Sequence, residues 1–328
     1  MKAIILVGGE GTRLRPLTYI TPKAMMPVLN IPFINHVVNY LNVHGVDTVV
    51  LSMGYKPDPI QEYFKSNKPR GVDIIYNIEI SPLGTAGALK FAQKYIEPGE
   101  TFYVLNGDIF TDMNLTEMLK QYRENRAKVS IALTSVEDPS MFGVVEIDRQ
   151  NRIHRFVEKP KKEDAPSNLI NAGIYLMNSS VLDMIPENKF FMFEHSVFPQ
   201  LVAAGDPVSG YVSDAYWIDM GNPQKYRQLN CDLLTGKCRP EGKQDGKNIS
   251  IDPGRNVVDQ SSSIAETARL TNSTIGPGCD IKDDCTIESS IIWSNVIIGK
   301  SARIKNSIIA NGCVVDDNAI IEDRVIVK

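Results

Sequence analysis

The chain has few of the residues that staple or metallate a fold. Its five cysteines (Cys231, Cys238, Cys279, Cys285, Cys313) are odd in number, lie in the last third, and include no C-x-x-C pair. The four histidines, His36, His44, His154 and His195, all precede them, so no cysteine has a histidine at metal-ligand spacing. A disulfide framework or zinc site is not indicated, and buried thiols are expected. Long apolar runs are also missing. The run near the N-terminus covers only residues 3–7, too short for a signal-peptide core, and nothing approaches the ~20 residues of a spanning helix. Neither sign of charge dominates: 35 basic against 39 acidic residues leave a net charge of −4. That balance excludes broad attraction to nucleic acid or anionic membrane. A cytoplasmic protein with neither as partner is expected. Aromatic residues nearly vanish from one end. The last 71 residues hold one, Trp293, yet contain 14 isoleucines against 21 in the first 257.

At roughly 100–200 residues per domain, a chain of 328 reads as two domains. Up to residue 235 strand-like and helix-like patterns alternate. Apolar runs at 3–7, 48–52, 72–76, 101–105 and 129–134 read as strands. Helical spacing covers 33–43, 57–65, 85–95 and 115–125. This order predicts an α/β Rossmann-like domain with a mixed, mainly parallel sheet, whose ligands bind beyond the carboxyl ends of the strands. Shorter strands at 144–147, 153–158 and 170–176 read as an added portion, and 193–204 and 223–234 as helices. Residues 236–256, rich in Gly, Pro, Lys and Asp, read as a linker.

The tail, 257–328, has another period. Steps of 6, 6 and 5 from Val258 reach Ile264, Leu270, Ile275, Ile281, Ile287, Ile292, Ile298, Ile304, Ile309, Val315, Ile321 and Ile326, all aliphatic. A near-six-residue apolar repeat predicts a parallel β-helix of 17-residue coils, with one aliphatic side chain per strand pointing inward. A sandwich of short strands would instead repeat its turns every ~8–12 residues. Doublets such as Ile291-Ile292 leave the register ambiguous by one residue.

Four strand ends carry candidate chemistry. The loop Gly8-Gly9-Glu10-Gly11-Thr12-Arg13-Leu14-Arg15 lets backbone N–H groups approach an anion beside two arginines. It matches neither G-x-G-x-x-G nor the P-loop. Lys23, between Pro22 and Pro27, is a candidate second phosphate clamp. Asn106-Gly107-Asp108 ends an apolar strand and puts a carboxylate where Mg²⁺ would bind, although N-G-D is also good turn chemistry. Asp219 ends another short apolar run. Lys159 stands at a strand end before Pro160, and Gly173 in Asn171-Ala172-Gly173 interrupts a strand. Gly84-Thr85 opens a helix, which offers N–H groups unless Thr85 caps it.

In order, G-G-E-G-T-R-L-R-P-L-T, P-K-A-M-M-P-V, P-L-G-T-A-G, N-G-D, F-V-E-K-P, N-A-G-I-Y and W-I-D-M-G resemble the sugar-1-phosphate nucleotidylyltransferase family. Many members of that family also carry a hexapeptide tail, a left-handed β-helix. Ala24 replaces a usual Pro, and Met220 and Asn222 vary the last motif. The resemblance implies that a sugar 1-phosphate attacks the α-phosphorus of a nucleoside triphosphate and pyrophosphate leaves. It also implies roles for residues. Leu6, Gly8, Gly9, Gly11, Thr12, Arg13, Glu79, Gly84, Thr85 and Gly107 line the nucleotide, and Arg13 and Lys23 hold the pyrophosphate. Asp108 and Asp219 bind Mg²⁺, Lys159 holds the sugar phosphate, and Gly143, Glu158 and Asn171 lie near the sugar.

The segments P-L-G-T-A-G-A-L, F-E-H-S-V-F-P-Q-L and Y-W-I-D-M-G-N-P-Q-K-Y are most similar to mannose-1-phosphate guanylyltransferases, which implies GTP and mannose 1-phosphate. Uridylyl, adenylyl or cytidylyl transfer to glucose 1-phosphate is the alternative, followed by a non-catalytic regulatory subunit of the same fold. Acyl transfer by the tail is disfavoured, because the tail has no histidine to act as base. The exposed edge of the β-helix predicts a homo-oligomer in which that domain takes part.

Overall fold

Two units organise the chain in this computed structural model, which describes residues 1–54, 56–240, 251–252 and 254–328. They do not follow chain order. Met1–Gly9 and Tyr40–Trp217 form one unit, and Glu10–Asn39 with Ile218–Lys328 the other. The linker expected at 236–256 falls mostly outside the described residues. Among those described, no helix is long and apolar enough to cross a membrane.

The first unit is built on a nine-stranded mixed sheet. Its parallel part runs Thr101–Asn106, Lys2–Leu6, Thr48–Met53, Asp73–Ile78, in that spatial order. Ile4, Ile5, Val49, Val50, Val104 and Phe102 are wholly buried, as continuous apolar runs in parallel strands should be. Beyond Thr101–Asn106 the sheet turns antiparallel through Leu169–Asn178, which pairs with Val129–Ser135 on one stretch and touches Gly143–Ile147 on another. Ile153–Glu158 closes that side as a hairpin partner of Gly143–Ile147. The helices Asp58–Ser66, Gly84–Phe91 and Leu115–Glu124 connect the strands.

Two elements differ from the sequence reading. Val208–Val212 is a strand parallel to Val129–Ser135. Its Ser-Gly centre hides it from a hydrophobicity pattern, yet the glycine leaves room for the Leu133 side chain. A Cβ on Gly210 would stand 2.6 Å from Leu133 Cδ1. The helix expected over 193–204 begins as a wide π turn, Phe193–Val197, before the α-helix Phe198–Ala203. Pro199 has no N–H to continue an ordinary ladder back into the preceding turn.

In the second unit the tail forms a parallel β-helix with three faces. The registers are Val258–Ile275–Ile292–Ile309–Ile326, Ile264–Ile281–Ile298–Val315 and Leu270–Ile287–Ile304–Ile321. Each step is 17 residues, and these side chains fill the interior. The doublets resolve to their second members: Ile298 is fully buried, whereas Ile297 is 42% exposed. Cys279, Cys285 and Cys313 occupy interior corners between the aliphatic rows. Cys279 and Cys285 donate to the carbonyls of Trp293 and Gly299. One corner carries a hydrogen-bonded ladder. Ser273, Ser290, Ser307 and Arg324 each donate a backbone N–H to the side-chain oxygen of Asn256, Ser273, Ser290 and Ser307, one coil earlier. The residues just before them, Asn272, Ser289, Asn306 and Asp323, have positive φ and make the sharp bends. Short polar side chains tolerate that conformation best after glycine.

Candidate active site

In the first unit, Gly8 follows Lys2–Leu6 and meets Gly54, which follows Thr48–Met53. A Cβ on Gly54 would come within 3.4 Å of the Gly8 carbonyl. Glu79 follows the strand Asp73–Ile78, and its carboxylate lies beside Gly8. It accepts from Ser52 Oγ (3.0 Å) and from the Leu83 N–H. Asn77 Nδ2 in turn donates to Ser52 Oγ. Burial holds the Glu79 carboxyl above the ordinary range, partly offset by these bonds. Gly107 follows the strand Thr101–Asn106 with its N–H on the Leu6 carbonyl. A Cβ there would stand 2.4 Å from Val7 Cγ1, so only glycine brings Asp108 to this strand end. Beside it, Asn106 Oδ1 is buried without a hydrogen-bond donor.

A second group of residues lies on the antiparallel side. Leu169–Asn178 carries a bulge between Asn171 and Tyr175, where Gly173 adopts positive φ. Asn171 folds over it, accepting from the Gly173 N–H and donating to Tyr175 Oη at 2.9 Å. Trp217 Nε1 donates to the Ala172 carbonyl. Lys159 leaves its strand with φ of 45°, a strained value for a residue with a side chain, and its ammonium lies 3.1 Å from Glu158 Oε1. The other oxygen, Oε2, is buried without a partner. Gly143 admits it, since a Cβ on Gly143 would lie 2.9 Å from that atom.

Gly84 has positive φ, and a Cβ there would strike the Phe191 carbonyl, so both the backbone and the space call for glycine. That same carbonyl accepts from the N–H groups of Ala86 and Gly87. These two N–H groups are therefore closed by a backbone oxygen, where the sequence suggested open groups or a Thr85 cap. Thr85 instead donates to Glu194 Oε2 (3.1 Å) and accepts from the Phe193 N–H. Glu194 is a residue the sequence reading passed over. Burial raises its carboxyl pKa, and Glu158 adds a like-charge push. Its one signal in the sequence is the segment F-E-H-S-V-F-P, which resembles the guanylyltransferases without marking Glu194 itself.

The second unit holds Gly11, Thr12, Arg13, Lys23 and Asp219. Gly11 has φ of 65° and packs against Thr18 and Lys23. A Cβ there would lie 3.0 Å from Thr18 Cγ2 and 3.4 Å from Lys23 Cβ. Thr18 Oγ1 donates to the Gly11 carbonyl and pins the loop. Thr12 opens a one-turn helix, Thr12–Leu14, that turns Arg13 toward Gly221. A Cβ on Gly221 would lie 3.0 Å from Asp219 Oδ2 and 3.3 Å from Arg13 Nη2, so that glycine makes room for both charges. Lys225 pairs with the other oxygen of Asp219. Asn222 caps the helix Pro223–Leu234 that carries Lys225. Arg15 differs from Arg13 in its partners, being engaged by Glu10 and the Tyr19 ring.

The family described as "Nucleotidyl transferase" matches residues 2–236. The chain belongs to that nucleotidyl transferase family. A second description, "EIF2B subunit epsilon LbH domain", matches residues 247–328, which agrees with a left-handed β-helix. Among related nucleotidyl transferases, the mannose-1-phosphate guanylyltransferase of Mycobacterium tuberculosis is 36% identical over 299 residues, 87% of this chain and 82% of that protein. Mannose-1-phosphate guanylyltransferase 1 of Arabidopsis thaliana is 39% identical over 298 residues, 89% of this chain and 79% of its own. The crystal structure of HddC from Yersinia pseudotuberculosis complexed with GMP-PN is 30% identical with a TM-score of 0.60, covering 70% of this chain and 97% of that one. This chain is thus a nucleotidyltransferase, and nucleotide and sugar phosphate are the substrates its family fits. Such enzymes typically use a divalent metal.

Proposed function

We propose that the chain transfers a guanylyl group from GTP to mannose 1-phosphate, forming GDP-mannose and releasing pyrophosphate. The observation that carries the base assignment is the Glu79 carboxylate, buried at a parallel strand end beside Gly8. A carboxylate is acceptor-only, and among the common bases guanine alone presents two adjacent donors, N1–H and the exocyclic amine. The names of the relatives in Mycobacterium tuberculosis and Arabidopsis thaliana support both the base and the sugar.

In this reading Leu6, Gly8, Gly9, Gly11, Thr12, Gly84, Thr85 and Gly107 line the nucleotide. Arg13 and Lys23 hold the β- and γ-phosphates, and Lys159 holds the sugar phosphate while Gly143, Glu158 and Asn171 face the sugar. A sugar-phosphate oxygen forms the new bond to the α-phosphorus, and the bond from that phosphorus to the pyrophosphate oxygen breaks. No proton need move, because both partners are already anions. The work of the side chains is to hold three charged groups in line and neutralise them. The residues suit Mg²⁺, which takes one or two carboxylates plus phosphate and water oxygens. Asp108 follows the unpartnered Asn106 Oδ1 by two residues, and Asp219 is a second hard-oxygen donor. When bound, the ion would neutralise phosphate charge.

Free thiols at Cys231, Cys279, Cys285 and Cys313 fit a reducing cytoplasm. Ile297, Val314 and Ile320, exposed on the outer β-helix faces, support a homo-oligomer formed through that domain. The test is pyrophosphate release with five nucleoside triphosphates against mannose, glucose and N-acetylglucosamine 1-phosphates, with Mg²⁺. Highest turnover with GTP and mannose 1-phosphate is expected. Preference for another pair overturns the assignment of base or sugar separately.

A further inference from the structure

We infer that Trp293, the lone aromatic of the β-helix, is a positioning residue for Lys23. The inference rests on the reading of Lys23 as a pyrophosphate clamp. All the residues involved lie in the second unit.

The segment after Lys23 makes a two-residue hairpin, Pro27–Val28 against Ile31–Pro32, with Leu29 and Asn30 both at positive φ. That is the conformation a tight hairpin demands, and leucine adopts it reluctantly. Pairing of Val28 with Ile31 and the bond from Phe33 N–H to the Met26 carbonyl turn the Pro27 carbonyl outward. Three bonds to the helix Pro223–Leu234 and to the β-helix hold it. Tyr226 donates its hydroxyl hydrogen to the Pro27 carbonyl. Asn230, on the same helix, accepts from the Leu29 N–H at 3.0 Å. Asn30 Nδ2 donates to the carbonyl of Ile275, in the β-helix, at 2.7 Å.

Trp293 completes the path. It follows the inward-pointing Ile292, yet its own ring lies edge-on to Tyr226 with centroids 6.5 Å apart. Its Nε1–H donates to the Tyr226 hydroxyl at 3.0 Å. Both groups are buried, so the hydroxyl has one geometry that satisfies everything: it accepts from Trp293 and donates to Pro27. From Pro27 the backbone reaches Lys23 through one short helical turn, closed by bonds from Met25 N–H to Pro22 O and Met26 N–H to Lys23 O, with proline at both ends. A displacement of Pro27 is carried to Lys23 because little of this stretch is free to absorb it.

The test is calorimetric titration of inorganic pyrophosphate and, separately, of mannose 1-phosphate into the full-length chain and its Trp293→Phe, Tyr226→Phe and Lys23→Ala variants. Tyr226→Phe keeps the ring and removes the hydroxyl, and Trp293→Phe removes the indole N–H together with part of the ring. Both should bind pyrophosphate roughly tenfold more weakly, as expected for a charged group displaced by a fraction of an ångström, with mannose 1-phosphate affinity unchanged. In a Lys23→Ala background Trp293→Phe should add less than twofold. A tenfold loss that persists undiminished in that background, an equal loss for both ligands, or no loss at all overturns the positioning role. Unchanged pyrophosphate binding by Lys23→Ala alone would instead remove the clamp reading itself.

Discussion

The side chains around Gly8 show how one residue sets a preference. Glu79 is held as an acceptor by Ser52 and the Leu83 N–H, and burial raises its pKa. Glu79→Gln replaces an acceptor oxygen by a donor facing guanine's donors. We expect kcat/KM for GTP to fall at least tenfold, about 1.4 kcal/mol, with mannose 1-phosphate KM unchanged in initial-rate measurements. Because the folded pKa is raised, the acceptor is lost by protonation at a higher pH than for an ordinary carboxylate. GTP affinity should therefore weaken on mild acidification, and Glu79→Gln should flatten that dependence. At the sugar end, Lys159→Ala should raise the KM for the sugar phosphate far more than that for GTP, read from the same rates. Glycines and lone charges in strand-end motifs were legible in the sequence, since Gly8, Gly107 and Asp108 stand where a parallel sheet presents ligands. Glu194 was not legible. Its closeness to Thr85 spans 109 residues of sequence, and no local pattern encodes that.

At the scale of elements, the tail was the most readable part. A period of six needs no tertiary information, and all thirteen positions expected inside proved to lie on β-helix strands. The serine ladder was invisible to an apolar pattern, although its 17-residue spacing was present. Ser290 accepts from the Ser307 N–H and donates to the Glu288 carbonyl, both buried in the corner. Ser290→Ala leaves the buried Ser307 N–H unmatched, while the Glu288 carbonyl keeps the Asn306 N–H, and should cost about 1–3 kcal/mol, seen as a lower melting temperature. The hairpin Pro27–Val28/Ile31–Pro32 escaped prediction because leucine and asparagine are not the usual turn pair. Its other support is His36, whose Nε2–H donates to the Val28 carbonyl at 2.9 Å. Burial lowers the His36 pKa from 6.5 to about 4. The unfolded chain thus gains a proton before the folded one does. Stability should be complete above pH 6.5 and decline as pH falls toward about 4, by up to about 3 kcal/mol. Denaturant titrations across that window would show it, and His36→Gln should reduce the slope.

At the scale of the whole molecule, chain order and spatial order part company. The polypeptide passes from one unit to the other after Gly9, Asn39 and Trp217, so neither unit is one continuous segment. A loop that sequence motifs assign to the nucleotide is stitched into the body that holds the β-helix. That stitching has a kinetic signature. In native-state hydrogen exchange, the amides of Glu10–Asn39 should open with those of the coils, not with the sheet strands on either side of them in sequence. Cutting the chain after residue 236 would leave Asn30 without the Ile275 carbonyl and Tyr226 without Trp293. The severed catalytic piece would therefore keep its sheet while amides near Lys23 exchange early. The number of times a chain crosses between bodies thus decides which of its parts share a lifetime.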